Sequence, residues 1–246
     1  MNRLVKALAA LMIISVAVIA AGCKKPDEPN NPNNEGNNSG GGNGGTYDVH
    51  EYVDLGLPSG TLWATCNVGA NSPEDFGDYV SWGETTPKDN YDWRSYRYGD
   101  FVDARFEFTK YCTEADEGLN GFVDGLILLE PTDDAATANW GPDWRMPTKE
   151  EWHELYLKTT CTWTTQNGVD GRLLTGINGN AIFLPAAGCH YDTELTGTGL
   201  GNYWSSSLYP DFPDRAWSFH FDLDYCHVCG SYERNRGHVV RAVRSK

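Results

Sequence analysis

The chain has 246 residues, with 34 Asp and Glu against 19 Lys and Arg and a net charge of −15. An acidic chain with no basic stripe repels nucleic-acid phosphates, which excludes a nucleic-acid-binding role. Its length permits a sizeable apolar core, which sets it apart from small disulfide-dense secreted scaffolds.

The first 22 residues have the three parts of an export signal. Arg3 and Lys6 give a positive start, and the run from Ala7 to Gly22 carries no charge and only Ser15 as a polar side chain. It ends in Ile19-Ala20-Ala21-Gly22-Cys23, where small residues admit a peptidase and the Cys23 thiol accepts a diacylglyceryl group. The ending resembles the bacterial lipobox, with Ala20 where Leu is usual. The run is shorter than the roughly 20 apolar residues that span a bilayer. Residues 1–22 therefore read as a cleaved signal peptide and Cys23 as the lipidated first residue of the mature chain. Loss of Arg3 and Lys6 takes the charge from −15 to −17. Acyl chains hold such a protein to the membrane at about 0.8 kcal/mol per buried CH₂. The expected location is the outer membrane or cell surface, with membrane lipid as the first partner.

Residues 24–45 read as a disordered linker: Asn, Gly and Pro make up 16 of the 22, and none is apolar. Such a segment cannot bury enough surface to offset its ordering entropy. As a flexible coil it would hold the body roughly 25 Å from the lipid. Asp27 and Glu28, soon after Cys23, resemble a surface-export signal of lipoproteins.

Residues 46–246 are expected to form one domain. Val53-Asp54-Leu55 and Thr61–Thr65 flank Leu57-Pro58-Ser59-Gly60, a hairpin pattern. Thr132 begins a weak helix pattern, with Asp133 and Asp134 in its first turn. Thr148 and Glu151 form a capping box, after which Trp152, Leu155 and Tyr156 give one apolar helix face. Glu154 and Lys158 are spaced to pair on the exposed side. Arg172–Leu174 and Ala181–Leu184 flank Asn178-Gly179, a strong turn signal. Residues 190–214 read as a long loop broken by Gly197, Gly199 and Gly201. Ala216 to Asp222 alternates as a half-buried strand should, and Val239–Val243 reads as a closing strand. Trp63, Trp152, Trp204 and Trp217 sit in these patterns and are expected to pack inward.

Seven ordered blocks carry a resemblance: "VDLGLPSGTLWATCNVGA" (53–70), "WGETTPK" (82–88), "DDAATANWGPDWRMPTKEEW" (133–152), "CTWTTQNGVDG" (161–171), "IFLPAAG" (182–188), "YWSSS" (203–207) and "VRAVR" (240–244). Together they resemble the Fibrobacter succinogenes major paralogous domain family of lipoproteins, related to the C-terminal domain of a collagen-like Legionella adhesin. The resemblance implies an α+β, C-type-lectin-like fold, in which about two helices pack on small antiparallel sheets and the termini meet. It implies no enzymatic activity. Cys189-His190 departs from the aromatic and basic residues usual there, and residues 224–229 look like an insertion. "WRMPTKEEW" also resembles a short segment of formylglycine-generating enzymes, a likeness of scaffold rather than of function.

Chemistry-bearing patterns are sparse. Cys226-x-x-Cys229 is half a zinc site, and the alternatives are a disulfide between the two or a pair of packed thiols. At least one disulfide is expected among the six cysteines beyond Cys23. Asp222-x-Asp224 superficially mimics a calcium loop, but His227 stands where an EF-hand needs Gly. No Gly-x-Ser-x-Gly elbow occurs, and Leu157 stands where a zincin needs its second His. No catalytic residue, metal or cofactor is expected. The candidate ligand-binding residues are loop aromatics beside carboxylates: Tyr191, Asp192, Tyr209, Asp211 and Asp214, a set suited to hydroxyl-rich ligands or to a protein surface. The expected function is a cell-surface, non-enzymatic binding or adhesion module for a glycan or a partner protein. The alternative is a structural subunit of a surface assembly, and a hydrolase or protein-modifying enzyme is the remote third reading.

Overall fold

In the computed structural model, which describes residues 50–246 (backbone only for Cys229, Gly230 and Ser231), the strand Leu62–Asn67 (β2) is where the two ends of the body meet. The expected signal peptide 1–22, Cys23 and the linker 24–45 lie outside the described residues. Tyr52–Asp54 (β1) pairs antiparallel with one edge of β2, and the closing strand Arg241–Arg244 (β13) pairs antiparallel with the other. The β1–β2 hairpin lies where its turn residues predict it, with Gly56 and Gly60 at φ +69° and +74° and the Gly60 amide donating to Leu57 O at 2.9 Å.

Two further sheets and two hairpins complete the strands. Thr160–Gln166 (β5), Val169–Thr175 (β6) and Ala181–Pro185 (β7) form an antiparallel meander whose second turn holds Gly179 at φ +85°. Gly201–Leu208 (β10), Arg215–Phe221 (β11) and Cys226–Glu233 (β12) form another. Gly99–Val102 (β3) with Arg105–Phe108 (β4), and Cys189–Tyr191 (β8) with Glu194–Thr196 (β9), are separate hairpins. Two helices, Ala135–Trp140 (α1) and Lys149–Lys158 (α2), and one 3-10 turn are the helical elements among the described residues. The architecture is thus α+β, loop-rich and dominated by small antiparallel sheets. No helix among the described residues is long and apolar enough to cross a membrane.

The capping box of α2 is complete: Thr148 accepts from the Glu151 amide at 3.2 Å, and Glu151 accepts from the Thr148 amide at 2.9 Å. Trp152 and Leu155 are fully buried, and the Trp152 ring stacks on Phe219 at 4.7 Å and 2°. The expected apolar face is narrower than its spacing suggests, because Tyr156 is 36 % exposed. Glu154 does not serve the expected pair with Lys158; it accepts from the amide and hydroxyl of Ser59, tying the first hairpin turn to α2. The weaker helix starts later than Thr132, because Asp134 is its cap and accepts from the amides of Ala136 and Thr137 at 2.9 Å. Asp133 turns away to Lys110 and Tyr111.

The core has two parts, one around Trp63, Trp152 and Phe219, the other around Trp82, Trp144 and Trp204. Three buried indole N–H groups find backbone acceptors: Trp82 donates to Ser205 O, Trp204 to Val80 O and Trp152 to Trp204 O, whereas the buried Trp63 N–H has no hydrogen-bond partner. Trp217 departs from the expectation and is only half-buried, because the register of β11 against β12 shifts between Ala216 and Ser218. Arg241 is completely buried and donates to Asn67 Oδ1 and to the carbonyls of Ala64, Thr65 and Phe183, so β13, β2 and β7 share one cation. Burial lowers its pKa to about 10.

The cysteines correct one expectation and bear out another. At least one disulfide forms, but Cys226 bonds to Cys161, joining β12 to β5, and not to Cys229. Cys226 and Cys229 lie three residues apart in an extended strand, about 10 Å of rise, beyond the roughly 7 Å that a disulfide bridges. Cys66 is also disulfide-bonded, and Cys112 and Cys189 are free and buried.

Candidate functional site

The five candidate ligand-binding residues fall on two separate turns. Much of the expected 190–214 loop is strand: β8, β9 and β10 occupy it, with Gly197 and Gly199 at positive φ in the connection. Tyr191 ends β8 and is 47 % exposed, with the Arg236 guanidinium 4.6 Å from its ring centre. Asp192 sits at φ +50° in the two-residue turn between the paired Tyr191 and Glu194, a conformation that Asp tolerates better than most residues. Its carbonyl accepts from the Tyr91 amide at 2.9 Å. Turn geometry therefore accounts for Asp192.

Tyr209, Asp211 and Asp214 lie together in the β10–β11 turn, beyond the far end of β10. Tyr209 is half-buried between Phe212 and Trp217, with ring centres 5.9 and 4.8 Å away. The Tyr209 amide donates to Arg215 O, and the Phe212 amide to Tyr209 O, so the turn is internally braced. Tyr209 is a support of the turn. Asp211 and Asp214 face an open groove of about 520 Å³, within the range of ligand sites.

The groove has an aromatic floor and carboxylate walls. Trp93, Phe106 and Phe108 line one part and Phe212 and Pro213 another, while Glu114, Asp116, Glu117, Asp211 and Asp214 supply five carboxylates and no lining residue is basic. Phe106 and Phe108 are alternate residues of β4 and so share a face of that strand, and the Trp93 ring packs on both, at 4.9 and 5.8 Å. Beneath the floor, the buried Arg234 guanidinium lies 4.2 Å from the Phe108 ring centre and donates to Tyr96 OH and the carbonyls of Tyr111 and Lys110. The Arg234 amide also donates to Asp214 O at 2.9 Å, which fixes the second wall to the same node. Thr113 Oγ1 donates to Pro210 O at 3.0 Å and joins the two walls. The first wall is organised by Asp124, which accepts from the amides of Tyr111, Cys112 and Leu126.

Burial raises the pKa of Asp214; Arg215 opposes the shift, and the charges of Glu233 and Glu117 reinforce it. Arg105 pairs with Glu117 at 3.0 Å and Arg215 approaches Asp214 at 3.7 Å, both from outside the lining.

Sequence reasoning missed Trp93, Phe106, Phe108, Glu114, Asp116 and Glu117. The signal was present: residues 91–111 hold eight aromatic side chains and are followed by Glu114-Ala115-Asp116-Glu117. This stretch falls between the resemblance blocks at 82–88 and 133–152.

The other motifs resolve into structure. Cys226 is occupied by its disulfide and is not a zinc-binding thiolate. Asp222 Oδ1 accepts from the amides of Asp224 and Tyr225 and caps the β11–β12 turn. No group of three or more His, Cys, Asp or Glu among the described residues could hold a metal ion. Comparison of the chain with known protein families, characterised proteins and solved structures gives no match.

Proposed function

We propose that the chain is a lipid-anchored, non-enzymatic binding or adhesion module displayed on the outer membrane or cell surface, and that the groove between β4 and the β10–β11 turn is its recognition site. The observation that carries this reading is the groove itself. Exposed Phe212 and Trp93 line the same space as five acidic residues, and the walls are joined by hydrogen bonds from Thr113 to Pro210 and from the Arg234 amide to Asp214. Rings stack on sugar or side-chain faces, and carboxylates accept from hydroxyls or amines. The C-type-lectin-like reading of the scaffold draws support from β1 and β13 flanking β2, from α2 packed on the β10–β11–β12 sheet, and from the ordered sequence blocks.

The test has two parts. Metabolic labelling with a fatty acid is expected to mark the wild type and not Cys23→Ser; retained label in the variant refutes the anchor. A screen of glycans and surface proteins against the full-length protein is expected to yield a ligand whose binding is lost in Trp93→Ala and Phe212→Ala. A ligand indifferent to both substitutions places recognition elsewhere.

One observation favours the second reading, a structural subunit of a surface assembly. Phe122, Val123, Ile127 and Leu128 are 36–51 % exposed within one seven-residue segment whose Leu128 bridges Ser207 of β10, and exposed apolar side chains gathered in one place mark protein contacts. Co-purification of a stable stoichiometric partner that survives loss of the groove residues but not Ile127→Asp would favour it.

A further inference from the structure

We propose, on the basis of the groove assigned above, that its occupant is a lysine- or arginine-bearing segment of a partner protein. The first observation is an unmatched charge. The lining carries five carboxylates, of which Arg105 pairs with Glu117 and Arg215, shared with Glu233, approaches Asp214. Glu114 and Asp211 have no ion pair among the described residues, and Asp116 feels the charge of Arg105 without a contact pair. Carboxylates crowded on a partly desolvated surface repel one another, and a bound cation relieves that repulsion. A neutral sugar leaves it in place.

The second observation is independent of charge and concerns the rings. Trp93, Phe106 and Phe212 line the cavity, and aromatic rings attract ammonium and guanidinium groups through the ring quadrupole. A planar guanidinium suits such a site twice over, stacking on a ring while donating in a fork to a carboxylate. Size then selects among cations. Phe212, 57 % exposed at the lip, is covered only by a ligand larger than the cavity. That points to a protein segment and away from a free polyamine. Arg and aromatic residues are also the side chains most enriched at the centres of protein interfaces.

The experiment measures binding of fluorescent nona-arginine and nona-lysine to the full-length protein, with nona-glutamine, spermine and a neutral chito-oligosaccharide as comparison probes. Because the whole protein is acidic, Asp116→Asn with Asp211→Asn is compared with Asp143→Asn and Glu150→Gln, which remove the same charge outside the groove. The groove pair is expected to weaken peptide binding at least about tenfold and the control pair less than about twofold. Phe212→Ala is expected to lose a similar factor with no change in charge. Unchanged melting temperatures establish that the variants are folded. Equal losses in the two charge pairs would reduce the effect to general attraction and overturn the proposal. So would spermine binding as tightly as the peptides with indifference to Phe212→Ala. If the chito-oligosaccharide binds and is lost in Trp93→Ala while the cationic peptides do not bind, the groove stands as a recognition site and the cationic occupant falls.

Discussion

The imidazole of His238 lies flat against the indole of Trp204, with ring centres 3.9 Å apart and 18° from parallel, and neither imidazole nitrogen has a hydrogen-bond partner. The ring is wholly buried. Burial holds its pKa well below the ordinary histidine value, and the positive side of Arg236 and His220 act in the same direction. The folded protein therefore keeps His238 neutral, whereas the unfolded chain takes up a proton as the pH falls through about 6.5. Stability is full above that value and declines below it. His190 and His220 are also lowered, chiefly by burial, and add to the decline. We expect the urea midpoint to fall between pH 7 and pH 5. His238→Phe, which preserves the stack, should flatten the slope by up to one proton, about 1.4 kcal/mol per pH unit. An unchanged slope in the variant would locate the acid sensitivity elsewhere.

Glu151 joins three elements with one carboxylate. It accepts from both terminal guanidinium nitrogens of Arg145 at 2.6 Å, from the Thr148 amide and from Thr61 Oγ1. Burial pushes its pKa up, but the hydrogen bonds from Arg145 and Thr148 outweigh it and the net shift is downward. Its contribution is present above the ordinary carboxylate range and is lost as the pH falls through the lowered value. Arg145 is partly exposed, which discounts the pair. Glu151→Ala should cost about 2 kcal/mol at pH 7, measured by urea unfolding, through loss of the cap and the ion pair together. A loss under about 0.5 kcal/mol would mean that water replaces both.

The β10–β11 turn separates support from recognition. Tyr209→Ala should destabilise the body by about 2 kcal/mol, because a half-buried ring leaves a gap between Phe212 and Trp217. Asp211→Ala, at an exposed position, should stay within about 0.5 kcal/mol of wild type. Thermal unfolding of the two variants side by side tests the assignment. The reverse order would make Asp211 a structural brace.

The Cys161–Cys226 bond spans 65 residues and ties β12 to the outer strand of another sheet. Constraint of an unfolded loop of that length is worth about 4 kcal/mol in the chain-entropy account. Replacing both cysteines by Ser should lower the urea midpoint markedly. Mass mapping of the unreduced protein should recover a Cys161–Cys226 cross-linked peptide. Finding both residues as free thiols would refute the pairing.

Local signals in the chain were legible wherever backbone chemistry decides. Gly56 and Gly60, Asn178-Gly179 and the Thr148–Glu151 box mark turns and a helix start by mechanisms that act within a few residues. Long-range partners were not legible in the same way. Nothing in the spacing of Glu154 distinguishes Lys158, four residues on, from Ser59, 95 residues back. Trp217 alternates like its neighbours and is displaced by a bulge that only pairing creates. The candidate site was half visible: Asp211 and Asp214 stood out as loop carboxylates, but the opposite wall comes from Glu114–Glu117. Thr113 to Pro210, residues 97 apart in sequence, closes that gap.

The three residues of β1 carry a consequence in mechanics. Any pull transmitted through the chain before His50 enters the body at β1, whose pairing partners are Ala64, Trp63 and Leu62 of β2. The same β2 is held on its other edge by β13, and Arg241 fastens both to β7. The stack of His50 on Trp140, with ring centres 3.9 Å apart, lies just upstream of β1. Such a pull is therefore borne first by the His50–Trp140 stack and the three pairs of β1, and only then by the strand that β13 and Arg241 hold from the other side.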